Sequence, residues 1–319
     1  MEDLLKFLKD TQTPFLYHED INKAFCKDNK NLTKEEVLVR YETNEFTISD
    51  LIIVQALAKI VFGTKEMILK VLENLSKEYP DKPILVDSKA LKGRLSKLVK
   101  SAVMKRFTFH LQSDKRTHSY YCVSPHGYNY IKRIFRFKDK YDEYIAVTPI
   151  DEVMKCLAAT SVAQEFTTKS SFIDFQIGKN FYIKEKGLFT LYAEVETLVG
   201  GEKKHTLIEP LYFKYDKNRI SEKELQESLI ERMEVISTYF SKRMETNMPT
   251  IFFVCENIGG IRRAMALGAE YLASYKNYIY YTTDAVVHNV GIEKSLMRIE
   301  EIDKGMPVNF TNNISKPFI

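Results

Sequence analysis

The chain has 319 residues, 45% of them hydrophobic and 28% charged, with 47 basic and 43 acidic side chains. That composition excludes a disordered or fibrous chain and is long enough for two domains, each with its own core. No stretch reaches the roughly 18–20 apolar residues of a membrane span: the nearest, LIIVQALAKIVF, is broken by Gln55 and Lys59, and MEDLLKFLKDTQ lacks the apolar run of a secretory signal. A soluble cytoplasmic protein without a membrane partner is expected. Cys26, Cys122, Cys156 and Cys255 stand far apart, with no CxxC and no histidine at ligand spacing, so reduced thiols are expected and zinc is not.

Residues 1–44 read as an N-terminal helical extension. It has a helix near 1–11 closed by Pro14, and a second from Thr33, where TKEE has the form of a capping box. Two helices follow. Ser49 or Asp50 caps the first, which carries Leu51, Val54, Leu57, Ala58 and Val61 on one side and stops at Gly63. Thr64 caps the second, KEMILKVLENLSKEYP, with Ile68, Val71, Leu72 and Leu75 as its stripe, before Pro80 and Pro83 force a break.

A third helix spans 88–102, with Leu91, Leu95, Leu98, Val99 and Ala102 on its apolar face and Lys89, Lys92, Ser96 and Lys100 on the other. The strand FTFHL, the tip SDKRTH and the strand SYYCVS make a hairpin. SPHGYNYIKRIF then reads as a helix bearing Tyr128, Ile131 and Phe135, with Gly127 supplying a positive φ at the turn. Residues 88–138 hold 13 basic side chains against a single acid, Asp114, while the remainder of the chain holds 34 basic against 42 acidic. The positive charge is therefore concentrated on one helix and its hairpin.

The stretch LKGRLSKLVKSAVMKRFTF followed by YYCVSPHGYNYIKR resembles the winged-helix proteins, which follow a leucine-spaced helix with a short basic strand and a "YYLTPKGY"-like segment. The resemblance implies a winged helix-turn-helix over residues 45–140 that binds double-stranded DNA. Lys89, Lys92, Ser96, Lys97 and Lys100 would enter the major groove, with Lys105 on the first strand, while Lys115 and Arg116 on the wing reach phosphates or the minor groove. Arg94 alone in this helix has the fork suited to guanine, or, standing beside Leu95, it faces the domain instead. The alternative is a protein-interaction module or scaffold with a solvated basic face.

After a junction at 139–150, residues 150–319 read as an α/β domain. The helix DEVMKCLAATSVAQEF turns Val153, Met154, Leu157, Ala158 and Val162 inward; strands follow at SFIDFQI, NFYI and LFTLYAEVETL, with an extended stretch at EPLYFKYD. A long helix follows, with Leu225, Leu229, Met233, Ile236, Phe240 and Met244 at helical spacing and Ser221 and Glu224 as its capping box. TIFFVCE, a helix opened by Gly259 and Gly260, and YIYYTT come next, then a short helix beyond Ile292 and a Pro- and Asn-containing end. Alternating strands and helices imply an α/β sandwich whose sheet is at least partly parallel. The whole is expected to be an α+β two-domain chain with a mixed second sheet.

Glu194 and Glu196 lie two apart on one strand and share a face, while Leu191, Ala193 and Val195 fill the other. With Asp174 they form a candidate carboxylate site for Mg²⁺. The order helix, strand with Asp, strand with carboxylate, helix, strand resembles the restriction-endonuclease-like fold and its PD-(D/E)xK motif. Glu196 stands where that motif has lysine, and Ile173 where it has proline. The resemblance implies an Mg²⁺-dependent nuclease if Lys184, Lys186 or Arg232 replaces the lysine, and otherwise a nuclease-shaped domain that needs no cofactor. Arg262 and Arg263, behind two glycines at a helix start, are candidate phosphate ligands.

A winged helix followed by a domain with an EVE strand, a long amphipathic helix, the strand MPTIFFVCE and an arginine soon after also resembles the replication-relaxation family of mobile genetic elements; LVGGEKKHTLIEPLYFKYD is then an insertion. That resemblance implies an accessory protein of a plasmid, phage or conjugative element, acting in replication, transfer or transcription control. Its corresponding positions are Glu194, Glu196 and Arg262, and its partners are DNA, a replication or transfer protein and, because winged helices often pair, a second copy of the chain.

Overall fold

A computed structural model of the chain describes residues 15, 24–25, 33–43, 45–111, 114–128, 145, 147–184, 187–212, 222–242, 249–268, 272, 278–303 and 306–311. The expected helix at 1–11, the capping box at Ser221 and Glu224, and the helical positions Ile131 and Phe135 lie outside the described residues or side chains. The protein is mixed α+β and divides into two compact units, Tyr17–Leu157 and a second made mainly of Ala158–Ile319.

In the first unit α1 (Lys34–Glu42) starts with the capping box expected from TKEE: Thr33 Oγ1 accepts from the Glu36 N–H, and the Glu36 carboxylate accepts from the Thr33 N–H. The next helix, α2 (Ile48–Ile60), is capped by Thr47, upstream of the expected Ser49 or Asp50. Asp50 is its third residue, and its Oδ2 accepts from the Thr47 N–H at 2.8 Å. Leu51, Ile52, Ile53, Val54, Ala56, Leu57 and Ile60 are all buried, so α2 is enclosed on nearly every side and the others pack around it.

At Val61 the backbone takes φ 60°, turning the chain into the short β2 (Phe62–Gly63). Thr64 then caps α3 (Lys65–Glu78), as its sequence indicates. Asp87 caps α4 (Ser88–Lys100), which buries Leu91, Leu95, Leu98 and Val99. Ala102, at φ 55°, redirects the chain into β3 (Met104–Leu111), which pairs antiparallel with β4 (Asp114–Val123). With β1 (Ala24–Phe25) beside β3, the sheet order is β1-β3-β4-β2. Cross-strand partners Phe107 and Tyr120 stack at 5.1 Å, and Phe62 meets Tyr120 edge-on, which ties β2 to the hairpin.

Gly127 does not adopt the positive φ expected of it. Its role is close approach: a Cβ there would lie 2.1 Å from the Val103 carbonyl oxygen.

In the second unit α5 (Ile150–Phe166), inside which the division falls, leads into five strands in the order β5 (Phe172–Ile183), β6 (Gly187–Val199), β7 (Glu202–Leu211), β8 (Thr250–Cys255) and β9 (Ile279–Thr282). The first two pairings are antiparallel and the last two parallel, so the sheet is mixed. The segment read as an insertion contributes β7, entered through Gly200 and Gly201 at φ 61° and 82°. Both positions favour glycine.

Long helix α6 (Glu222–Lys242) joins β7 to β8. Its Leu229, Met233, Ile236 and Phe240 share a core with Leu207, Ile251, Phe253 and Tyr281. Phe252, on the opposite side of the pleat, meets Phe166 of α5 at 5.8 Å. The sheet therefore carries helices on both faces. After β8 come α7 (Ile258–Gly268), α8 (Asp284–Val290), α9 (Ile292–Ser295) and a ribbon of β10 (Arg298–Asp303) and β11 (Met306–Thr311), where the sequence suggested only a short helix and an irregular end. Among the described residues no helix is long and apolar enough to cross a membrane.

Candidate nucleic-acid interface and carboxylate–histidine cluster

Helix α4 sorts its cations into two groups. Lys89, Lys92, Ser96 and Lys100 are exposed and recur at spacings of three, four and four, which places them along one face. Gly93 lies exposed among them; a Cβ there would meet nothing within 4 Å, so no packing demand explains a glycine in mid-helix. Lys97 turns the other way, a correction to its assignment as a groove-reading side chain, and Arg94 takes the second of its two expected orientations, toward the domain. Arg94 Nε donates to Asp50 Oδ1 at 2.6 Å, while its Nη2 bonds both Asp50 Oδ2 and Thr47 Oγ1. The Asp50 side chain is only 1% exposed, so the guanidinium is its charge partner in the interior. Lys97 Nζ donates to the Glu45 carbonyl and lies 5.9 Å from the centre of the Phe46 ring. These two cations lock α4 to the start of α2. Lys105 is half-buried on β3, and the side chains of Lys115 and Arg116 on β4 lie outside the described set.

In the second unit sheet register decides which acids meet. Asp174 on β5 stands opposite Glu196 on β6, and Glu196 stands opposite His205 on β7, making one row across three strands. Glu194, two residues along, is 3% exposed, and its Oε1 lies 2.8 Å from His205 Nδ1. Glu196 Oε1 is 4.0 Å from the same nitrogen, and its Oε2 accepts from Lys203 Nζ at 2.6 Å. Ligand atoms of Glu194, Glu196 and His205 all lie within 4.8 Å of one another, and Asp174 does not belong to this tight group. The His205 ring is fixed edge-on against Phe240 of α6, with centroids 6.0 Å apart. Spacing along the chain gives no sign of His205, because β6 and β7 bring it to the glutamates only through the hairpin register.

Of the cations expected to replace the motif lysine, Arg232 is engaged by another carboxylate. Arg232 Nε and Nη2 donate to Glu209 Oε2 at 2.8 and 2.6 Å, its Nη2 reaches the Thr190 carbonyl, and its guanidinium sits over the Tyr192 ring. Glu209 is 1% exposed, and an acid inside the strand run TLIEPL is the signal that a cation must be near. Lys184 is exposed, and Lys186 lies outside the described residues.

Arg262 and Arg263 fall beyond the first turn of α7. That N-terminus already has an acceptor, since Asn257 Oδ1 accepts from the Gly260 N–H at 2.9 Å. The Glu256 carboxylate also stands there, 3.0 Å from where a Gly260 Cβ would be. A second anion there would meet that carboxylate, which weighs against a phosphate held by Arg262 and Arg263.

Cys122, Cys156 and Cys255 are buried free thiols. Burial, reinforced by the neighbouring Glu256 charge, pushes the Cys255 thiol up, away from the reactive thiolate. No family model, curated protein or solved structure matches the chain.

Proposed function

We propose that the first unit is a winged helix-turn-helix that binds duplex DNA through the exposed face of α4. The observation that carries this reading is the stripe Lys89, Lys92, Ser96 and Lys100 around an unencumbered Gly93. Three helices followed by a hairpin, with a short strand between the first two of them pairing to its outer edge, support the winged-helix reading. Lysines along a helix neutralise phosphates, and Ser96 with the bare backbone at Gly93 permits close approach to the groove wall. With Arg94 held by Asp50, the surface is built for affinity to the duplex more than for bidentate reading of guanine.

The resemblance to the replication-relaxation family supports a role for the protein as an accessory or regulatory factor of a mobile element, the second unit supplying pairing or partner contacts. Fluorescence anisotropy of a labelled duplex at two salt concentrations tests the DNA reading. Binding that weakens steeply with salt is the expected result, and no binding at low salt would leave the interaction-module alternative.

A nuclease is the second reading, favoured by Glu194 and Glu196 on the strand that faces Asp174. The order of α5, β5, β6, α6 and β8 follows that of the restriction-endonuclease-like resemblance, with β7 interposed between β6 and α6. The commitment of Arg232 to Glu209 weighs against cleavage, because its guanidinium already has a carboxylate partner outside the glutamate pair. Incubating the protein with duplex and Mg²⁺ and resolving the strands on a denaturing gel separates the two: intact strands agree with the first reading, and Mg²⁺-dependent breaks establish the second.

A further inference from the structure

We propose that Glu194, Glu196 and His205 form a binding site for one divalent transition metal ion of the Mn²⁺ or Zn²⁺ class. The inference rests on the second unit alone and does not depend on DNA binding.

Three features carry it. Two carboxylates and an imidazole converge within 4.8 Å, a set that includes a nitrogen donor and so departs from the all-oxygen coordination that Mg²⁺ and Ca²⁺ prefer. The donors come from paired strands, β6 and β7, whose register places Glu196 opposite His205, and the imidazole is further braced by Phe240. A site on hydrogen-bonded strands needs little reordering to take an ion. Finally, Lys203 holds Oε2 of Glu196, and Oε1 of the same carboxylate lies 4.0 Å from His205 Nδ1.

His205 Nδ1 and Glu194 Oε1 lie 2.8 Å apart, so one ion can be held by both. Three protein donors leave further coordination positions open to water or to an anionic ligand.

The test is a Mn²⁺ titration of the full-length protein without DNA, followed by the loss of the free-ion electron paramagnetic resonance signal. One ion per chain is expected, resistant to a hundredfold excess of Mg²⁺. Affinity should fall tenfold or more in His205→Gln and in Glu196→Gln, and should be unchanged in His288→Gln, whose ring is exposed on α8. Thermal unfolding in chelator shows whether each variant folds, and only variants that unfold like the parent are compared. Equal Mn²⁺ affinity in the parent and both ligand variants would overturn the assignment. So would the absence of stoichiometric binding by the parent, and displacement by equimolar Mg²⁺ would overturn the preference for a transition metal.

Discussion

Replacing Arg94 separates a folding role from a DNA-contact role. Its guanidinium is the cation beside Asp50, a carboxylate 1% exposed at the first turn of α2. Arg94→Ala removes the bonds from Nε and Nη2 and leaves the carboxylate with the Thr47 backbone and hydroxyl as described donors. Breaking a buried pair from one side costs about 3–5 kcal/mol. The Arg94 side chain is 30% exposed, so water replaces part of the loss and the lower end, about 3 kcal/mol, applies. With a urea m-value of about 2 kcal/mol/M, the unfolding midpoint should fall by about 1.5 M, followed by circular dichroism. Arg94→Lys keeps the charge without the fork and should fall between the two. Lys92→Ala, on the exposed face, should change stability by less than about 0.5 kcal/mol. While still folded, Arg94→Ala should bind DNA within twofold of the parent. A variant as stable as the parent but defective in DNA binding would refute the reasoning.

Gly93→Ala should stabilise the protein by about 0.8–1 kcal/mol, because the position is helical, exposed and open. DNA affinity should nevertheless fall severalfold by anisotropy, and unchanged affinity would show that the backbone does not approach its partner there. Arg232→Met should cost about 3–5 kcal/mol in chemical denaturation by stranding Glu209, and adding Glu209→Leu should recover most of it. If the double variant is no more stable than the single, the pair is not what burdens the core. Burial holds the Tyr120 and Tyr281 phenols above their ordinary range, so the folded chain keeps protons that the unfolded chain loses above about pH 10. Stability should decline as pH rises past that point, and less steeply in Tyr120→Phe; identical alkaline profiles would remove Tyr120 from the explanation.

Much of the helical framework is written in local pattern. The Leu91–Leu95–Leu98 stripe of α4 and the caps at Thr33 and Thr64 follow from spacing and side-chain chemistry within a single turn. The start of α2 is harder, because Ser49 and Asp50 both have capping chemistry and only the geometry shows Thr47 as the cap and Asp50 as its reciprocal partner. Strand β7 carries a glycine-pair turn signal, but its mix of KKH and TLIEP lacks clean alternation. What local pattern does not hold is contact across the chain. Arg94 and Lys97 border the apolar stripe of α4, and nothing near them in sequence shows that they turn toward residues 44 and 52 positions upstream. His205 joins Glu194 and Glu196 by strand register, and Glu209 meets Arg232 from a helix packed over the sheet.

The most direct test of the central claim is the salt dependence of duplex binding by the parent and by the Lys89→Ala, Lys92→Ala, Lys100→Ala triple variant. Each neutralised phosphate contributes about −0.9 to the slope of log affinity against log salt. Three lysines that each meet a phosphate should make the parent slope steeper than the variant's by about 2.7. A folded triple variant with the parent's affinity and slope would contradict the assignment of this face to DNA.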